Sequence, residues 1–138
     1  MRIQVTALPY RFIGDHCEVL LVTSRRRGRW ILPKGKIEAD ETARERAAAE
    51  AFEEGGVSGT VAARPLLADR LADLSQPVVF AIEVLEEFSE WPEMRVRQRA
   101  WVPLSEARSK ITDGSLRKVL EAFASEEHAQ RAASSDNP

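Results

Sequence analysis

The stretch from Thr42 to Gly56 constrains the fold more than any other part of the chain, because both ends of a helix are written into it. Thr42-Ala43-Arg44-Glu45 has the form of a capping box: the threonine satisfies a free backbone N–H of the first turn, and the glutamate three residues on reaches back. Alanine-rich sequence follows to Glu54, and Gly55-Gly56 ends the run, since glycine enters the left-handed conformation that closes a helix at little steric cost. On this helix Glu50, Glu53 and Glu54 share one side: Glu53 lies about 60° one way from Glu50 and Glu54 about 40° the other. Ala48 and Phe52 fall on the opposite side, which is expected to face the core.

The rest of the chain supplies strands. Ile3 to Ile13, a turn at Gly14-Asp15 and the β-branched run to Thr23 read as a hairpin. Trp30-Ile31-Leu32 is a short extended piece stopped by Pro33, and Lys34 to Asp40 is expected as a glycine-containing loop. Val57–Ala63, Val78–Leu85 and Ala100–Leu104 read as further strands, while Leu66–Leu74 is open between strand and irregular structure. Leu116, Val119, Leu120 and Phe123 stand at helical spacing, which predicts an amphipathic helix over Ser115–Ser125. At 138 residues the chain fits one domain, placed at 1–126, with the polar segment 127–138 expected as a disordered tail.

Charge and cysteine content narrow the function. Lys and Arg number 20 against 22 Asp and Glu, so no general attraction to nucleic acid or anionic membrane exists, and no stable nucleic-acid partner is expected. The N-terminal residues lack the apolar core of a secretion signal, and no window approaches the length of a membrane span. One cysteine, Cys17, cannot form an internal disulfide, which fits a reducing compartment; the expected location is cytoplasmic. Cys17, His16 and His128 have no partner at ligand or triad spacing, so zinc and nucleophilic cysteine chemistry are unsupported.

The glutamate triplet is where chemistry concentrates. Like charges one turn apart repel by a few tenths of a kcal/mol per pair, and a hard cation such as Mg2+, which favours carboxylate oxygens and keeps several waters, would relieve them. Taken alone, Glu-x-x-Glu-Glu is more plainly a solvated acidic face. The larger pattern changes that reading. Gly35, five residues, Glu41, eight residues, then Glu50-Ala51-x-Glu53-Glu54-x-Gly56-Val57 resembles the signature of the Nudix hydrolases residue by residue. Only the signature arginine is missing, with Ala49 in its place; Arg46, one turn before Glu50 and on the glutamate side, is a candidate substitute, and an ordinary exposed ion pair with Glu50 is the plainer alternative. The flanks extend the resemblance over most of the chain. Trp30-x-x-Pro33-Lys34-Gly35 is similar to diadenosine polyphosphate hydrolases, whereas Arg97-x-Arg99-x-Trp101 is similar to diphosphoinositol polyphosphate phosphohydrolases. Lys34-Gly35-Lys36 departs from the three glycines common in the inositol branch.

The resemblance implies an α+β Nudix fold: a mixed, curved sheet sandwiched between helices, with the glutamates presented at one end. It implies Mg2+-dependent cleavage of a phosphoanhydride bond, Mn2+ being a substitute, in a small anionic polyphosphate such as a diadenosine or diphosphoinositol polyphosphate. Glu50, Glu53 and Glu54 are the expected metal ligands; Glu50 and Glu54 lead, and Glu53 is either a third ligand or the base that takes a proton from the attacking water. Glu41 completes the catalytic set by orienting the site or holding its loop, and Gly35 allows close backbone approach. Arg25, Arg29, Lys34, Gly35, Lys36 and Arg97 are the expected substrate contacts; Arg26, Arg27 and Arg99 are weaker candidates, equally compatible with solvated positions. Trp30 and Trp101 are read as core or rim residues before base-stacking ones, and neither monomer nor oligomer is favoured. A catalytically impaired sensor that binds a nucleotide or polyphosphate is the competing reading, opened by Ala49, and a messenger-RNA cap or triphosphate hydrolase is a third.

Overall fold

A computed structural model describes residues 3–67 and 78–135, with side chains as far as Glu127. In chain order the elements are β1 (Gln4–Ile13), β2 (His16–Thr23), β3 (Trp30–Ile31), β4 (Lys34–Lys36), α1 (Ala43–Gly55), β5 (Val57–Val61), β6 (Val78–Glu87), β7 (Arg99–Pro103), α2 (Leu104–Lys110) and α3 (Gly114–Ser135). β1 and β2 form the predicted hairpin, Ile13 standing opposite His16 across Gly14-Asp15. β6 runs parallel to β1, and β5 lies antiparallel outside β6, so the sheet is mixed.

Period-two alternation, apolar on both faces, makes this sheet the middle layer of a sandwich. From β1, β2 and β6, the side chains of Val5, Ala7, Leu20, Phe80 and Ile82 point to one face, where Ala47 and Ala51 of α1 meet them. Leu8, Val19, Leu21, Val79 and Ala81 point to the other, against Leu104 and Ala107 of α2 and Leu116, Val119, Leu120 and Phe123 of α3. The four residues predicted at helical spacing are thus all buried. Each fully buried Leu, Ile or Val contributes about 1.5–3 kcal/mol. Among the described residues, no helix is long and apolar enough to cross a membrane.

One edge of β1 serves two partners. Gln4, Val5 and Thr6 pair with β4, whereas Tyr10 to Ile13 pair with β2. β2 then leaves β1 to pair with β3, and β7 lines its other side. The sheet therefore forks, and β4 passes beneath α1 on one branch. This strand corrects the expected loop: Lys34-Gly35-Lys36 is recruited by the open backbone of β1, a long-range pairing that local turn chemistry does not reveal.

The remaining differences are local. α2 was not predicted; its seven residues are too few to display a period. α3 continues past Ser125 to Ser135, into the segment expected as a tail, through good helix formers with no interrupting Gly or Pro. Leu66 bridges to Val79, while residues 68–74 of the ambiguous stretch lie outside those described. The largest correction concerns α1. Ala48 and Phe52 are exposed, and Arg46, Ala47, Glu50, Ala51 and Glu54 are buried, so the helix turns Glu50 and Glu54 inward. Small alanines on this side let α1 lie close to the sheet, which leaves the longer glutamates to fill the space over β4.

Candidate active site

Both ends of α1 are fixed, and this fixes the glutamates. Thr42 Oγ1 accepts from Glu45 N at 3.1 Å while Thr42 N donates to Glu45 Oε1 at 3.2 Å, the complete capping box. At the other end Gly56 adopts φ 67°, a conformation that would strain a residue with a Cβ. Four successive carbonyls there have partners outside the helix. Glu53 O accepts from Glu93 N, Glu54 O from Trp91 Nε1, Gly55 O from Arg99 Nη1, each at 3.0 Å, and Gly56 O from Phe88 N at 2.8 Å. These carbonyls would otherwise be unsatisfied. The last turn contains no basic residue, so Arg99 also supplies the cation favoured at that end of the helix dipole. Its guanidinium lies 3.8 Å from the Trp91 ring centroid.

Glu50 and Glu54 form a buried carboxyl pair. Glu54 Oε1 accepts from Lys34 N at 3.2 Å, and its Oε2 pairs with Arg97 Nη2 at 3.2 Å. Burial, then a hydrogen bond shared with Glu50, pushes Glu54 well above the usual carboxylate range; Arg97 opposes the shift. Glu50 is also raised, by burial first, against the lowering influence of Glu54 and Arg46. Gly35 explains how Glu50 fits: a Cβ there would overlap Glu50 Oε1, so only glycine lets the carboxylate lie on the strand.

Arg46 holds the other carboxylates. Its Nη1, Nε and Nη2 lie 3.3 Å from Glu41 Oε1, Glu50 Oε1 and Glu53 Oε2 respectively. Its side chain is 9% exposed, which removes the alternative of an ordinary solvent-exposed ion pair. Glu53 differs from its neighbours in being 43% exposed and turned to Arg46. Among the described residues, no three His, Cys, Asp or Glu side chains converge as a metal-holding group. Of the three glutamates expected as ligands, Glu50 and Glu54 are buried as a pair, and Glu53 shares Arg46 with Glu50. That pair fits Mg2+, which commonly takes one or two carboxylates and completes its shell with water and substrate phosphate.

The expected substrate contacts separate. An open pocket of about 420 Å³ has Arg25 and Gly28 on one side and Met94, Arg95 and Arg97 on the other. Arg97 is common to this pocket and to the carboxyl pair. All the guanidinium nitrogens of Arg97, an expected phosphate contact, face protein acceptors: Nε on Glu93 Oε1 at 3.0 Å, Nη1 on Thr23 O at 2.9 Å and Nη2 on Glu54. A buried Glu54 requires such a partner. Arg29 is exposed and does not line the pocket. Because Gly35 presents its Cα to Glu50, alternation along β4 turns the side chains of Lys34 and Lys36 to the other face; Lys34 there helps to lower the Asp113 pKa. Lys34 meets the site through its backbone N–H. Trp30 packs on the core, and Trp101 donates to Glu87 and carries Arg11 over its ring at 4.2 Å. The residues that sequence reasoning missed are Trp91, Glu93 and Arg95; the absence of a basic residue in the last turn of α1 was the available signal that a cation must arrive from elsewhere.

The family described as NUDIX domain matches residues 2–123. Among Arabidopsis thaliana proteins, the chain is 36% identical over 127 residues to Nudix hydrolase 21, chloroplastic, covering 86% of this chain and 64% of that one. It is 34% identical over 128 residues to Nudix hydrolase 17, mitochondrial, covering 85% and 70%. It spans a little under two thirds of Nudix hydrolase 21 and of Nudix hydrolase 4. A crystal structure of a C. elegans Ap4A hydrolase shares the fold, with a TM-score of 0.65 at 17% identity over 91% of this chain and 97% of that one. A Nudix hydrolase structure from Listeria monocytogenes aligns at a TM-score of 0.68 and 15% identity, over 94% and 97%. With the signature glutamates on one inward-turned helix and the matching domain running nearly end to end, the chain belongs to the Nudix family.

Proposed function

We propose that the chain is a Mg2+-dependent hydrolase that cleaves a phosphoanhydride bond in a nucleoside or inositol polyphosphate, with diadenosine and diphosphoinositol polyphosphates the favoured classes. The observation that carries this reading is the buried Glu50–Glu54 pair on Gly35, joined through Arg97 to an arginine-lined pocket. Relatives named hydrolases support it. The single Cys17 supports a reducing compartment such as the cytoplasm, while the chloroplastic and mitochondrial designations belong to those relatives.

Glu50 and Glu54 would hold the cation, with Lys34 N–H and Arg97 fixing the two oxygens of Glu54. When bound, Mg2+ or its substitute Mn2+ supplies positive charge against the phosphoryl oxygens. Glu53, more exposed than the pair, takes the proton from the attacking water, a contribution of about 10²- to 10⁴-fold for a positioned base. Glu41 orders the loop that opens α1, accepting from Glu38 N. Arg25, with Arg95, attracts the phosphates of the substrate; Arg29, Lys34 and Lys36 do not line this pocket.

The test is incubation with Mg2+ and a panel of diadenosine polyphosphates, diphosphoinositol polyphosphates and nucleoside triphosphates, with products resolved by ion exchange. Metal-dependent cleavage of one class, lost in Glu53→Gln/Glu54→Gln, is expected. Binding of a panel member without cleavage under Mg2+ or Mn2+ would overturn the hydrolase in favour of a sensor.

A further inference from the structure

We propose that Arg46 is the positioning residue of this site, taking over from the absent arginine at Ala49: its guanidinium ties the loop before α1 to the helix and holds Glu50 and Glu53 in separate orientations. The proposal concerns how the site of the preceding section is held, and rests on that reading for its link to metal and turnover.

Three observations carry it. The three guanidinium nitrogens face three different glutamates, Glu41 from the loop and Glu50 and Glu53 from the helix. Arg46 is buried among them, so it is a built part of the site and cannot be exchanged for a solvated cation. The loop also needs holding: Asp40 has φ 65°, a conformation that disfavours residues with a Cβ, and the next residue, Glu41, accepts from Glu38 N while pairing with Arg46. Without Arg46, Glu41, Glu50 and Glu53 would lose the cation that they share. The Nε of Arg46 faces Glu50 without hydrogen-bond geometry and is the buried side-chain donor among the described residues left unsatisfied.

A lysine cannot reproduce this arrangement, because one compact ammonium has no fork with which to separate three carboxylates. The test compares wild type, Arg46→Ala and Arg46→Lys in the full chain. It reads metal-free amide exchange at Glu38, Mn2+ affinity by electron paramagnetic resonance, and kcat and KM separately on whichever panel substrate is cleaved. Both variants are expected to expose the Glu38 amide, to bind Mn2+ about 10- to 100-fold more weakly and to lose kcat with little change in KM. Arg46→Lys is expected to stay folded, so it decides the question if Arg46→Ala does not. Wild-type Glu38 exchange and Mn2+ affinity in Arg46→Lys would overturn the proposal. A wild-type protein that cleaves nothing would overturn the hydrolase reading, and the exchange measurement would still decide the role of Arg46.

Discussion

Two glycines separate steric necessity from turn preference at the level of single residues. A Cβ on Gly35 would occupy the position of Glu50 Oε1, whereas a Cβ on Gly28 would meet nothing within 4 Å, although its φ of 62° strains any other residue. Gly35→Ala is therefore expected to displace Glu50 from the strand and to lower turnover together with Mg2+ affinity, at a folding cost of about 1–3 kcal/mol from overpacking. Gly28→Ala is expected to cost stability of about 1 kcal/mol through its left-handed backbone while leaving Mg2+ affinity near wild type. Titration calorimetry with Mg2+ on both variants distinguishes them; equal affinity in Gly35→Ala and wild type would refute the link between this glycine and Glu50.

At the level of elements, what was legible in the sequence was whatever is encoded locally. The capping box at Thr42, the end of α1 at Gly55-Gly56, the hairpin turn and the apolar spacing in α3 all depend on neighbours within a few positions, and each appears where it was read. The glutamates were legible as a group, but their direction was not, because an alanine-rich helix has little apolar asymmetry to show which side is buried. Nor could local signals reveal β4, whose partner is the start of β1, or the loop from Phe88 to Arg97 that satisfies the end of α1. A further local device lies at the start of α3, where Asp113 Oδ1 accepts from Ser115 Oγ at 2.7 Å, Ser115 N at 2.9 Å and Leu116 N at 3.4 Å. The Ser115 hydroxyl first, with the backbone donors adding, holds the Asp113 carboxylate below its ordinary range. A depressed folded pKa stabilises the fold when the unfolded carboxylate is ionised, so this contribution is present above about pH 4 and is lost as pH falls through the lower folded value. Asp113→Ala is expected to cost about 1 kcal/mol at neutral pH. In urea unfolding, the gap between variant and wild type should narrow on acidification; a gap independent of pH would exclude an ionised cap.

On the scale of the whole molecule, the forked sheet and the clasp around the end of α1 bring a strand, a helix and a distant loop onto one pair of acids. β4 provides Lys34 N–H and the bare Cα of Gly35, α1 provides Glu50 and Glu54, and the approach to β7 provides Arg97. Binding a cation between those acids should therefore couple to global stability, because unfolding would scatter the ligands. A ligand at 100 times its Kd that binds only the folded state adds about 2.7 kcal/mol, which for a domain of this size is a rise of several degrees in Tm. Scanning calorimetry across a Mg2+ titration is expected to show that rise in the wild type and a flat response in Glu50→Gln/Glu54→Gln. Without metal, the double variant leaves the buried Arg46 and Arg97 without these carboxylates and should start from a lower Tm, so the response to Mg2+ is read as the rise from each protein's own metal-free baseline. If the double variant rises with Mg2+ as steeply as the wild type, the cation binds elsewhere and the paired glutamates are structural; if only the wild type rises, the acids that burial makes costly are the ones that hold the metal.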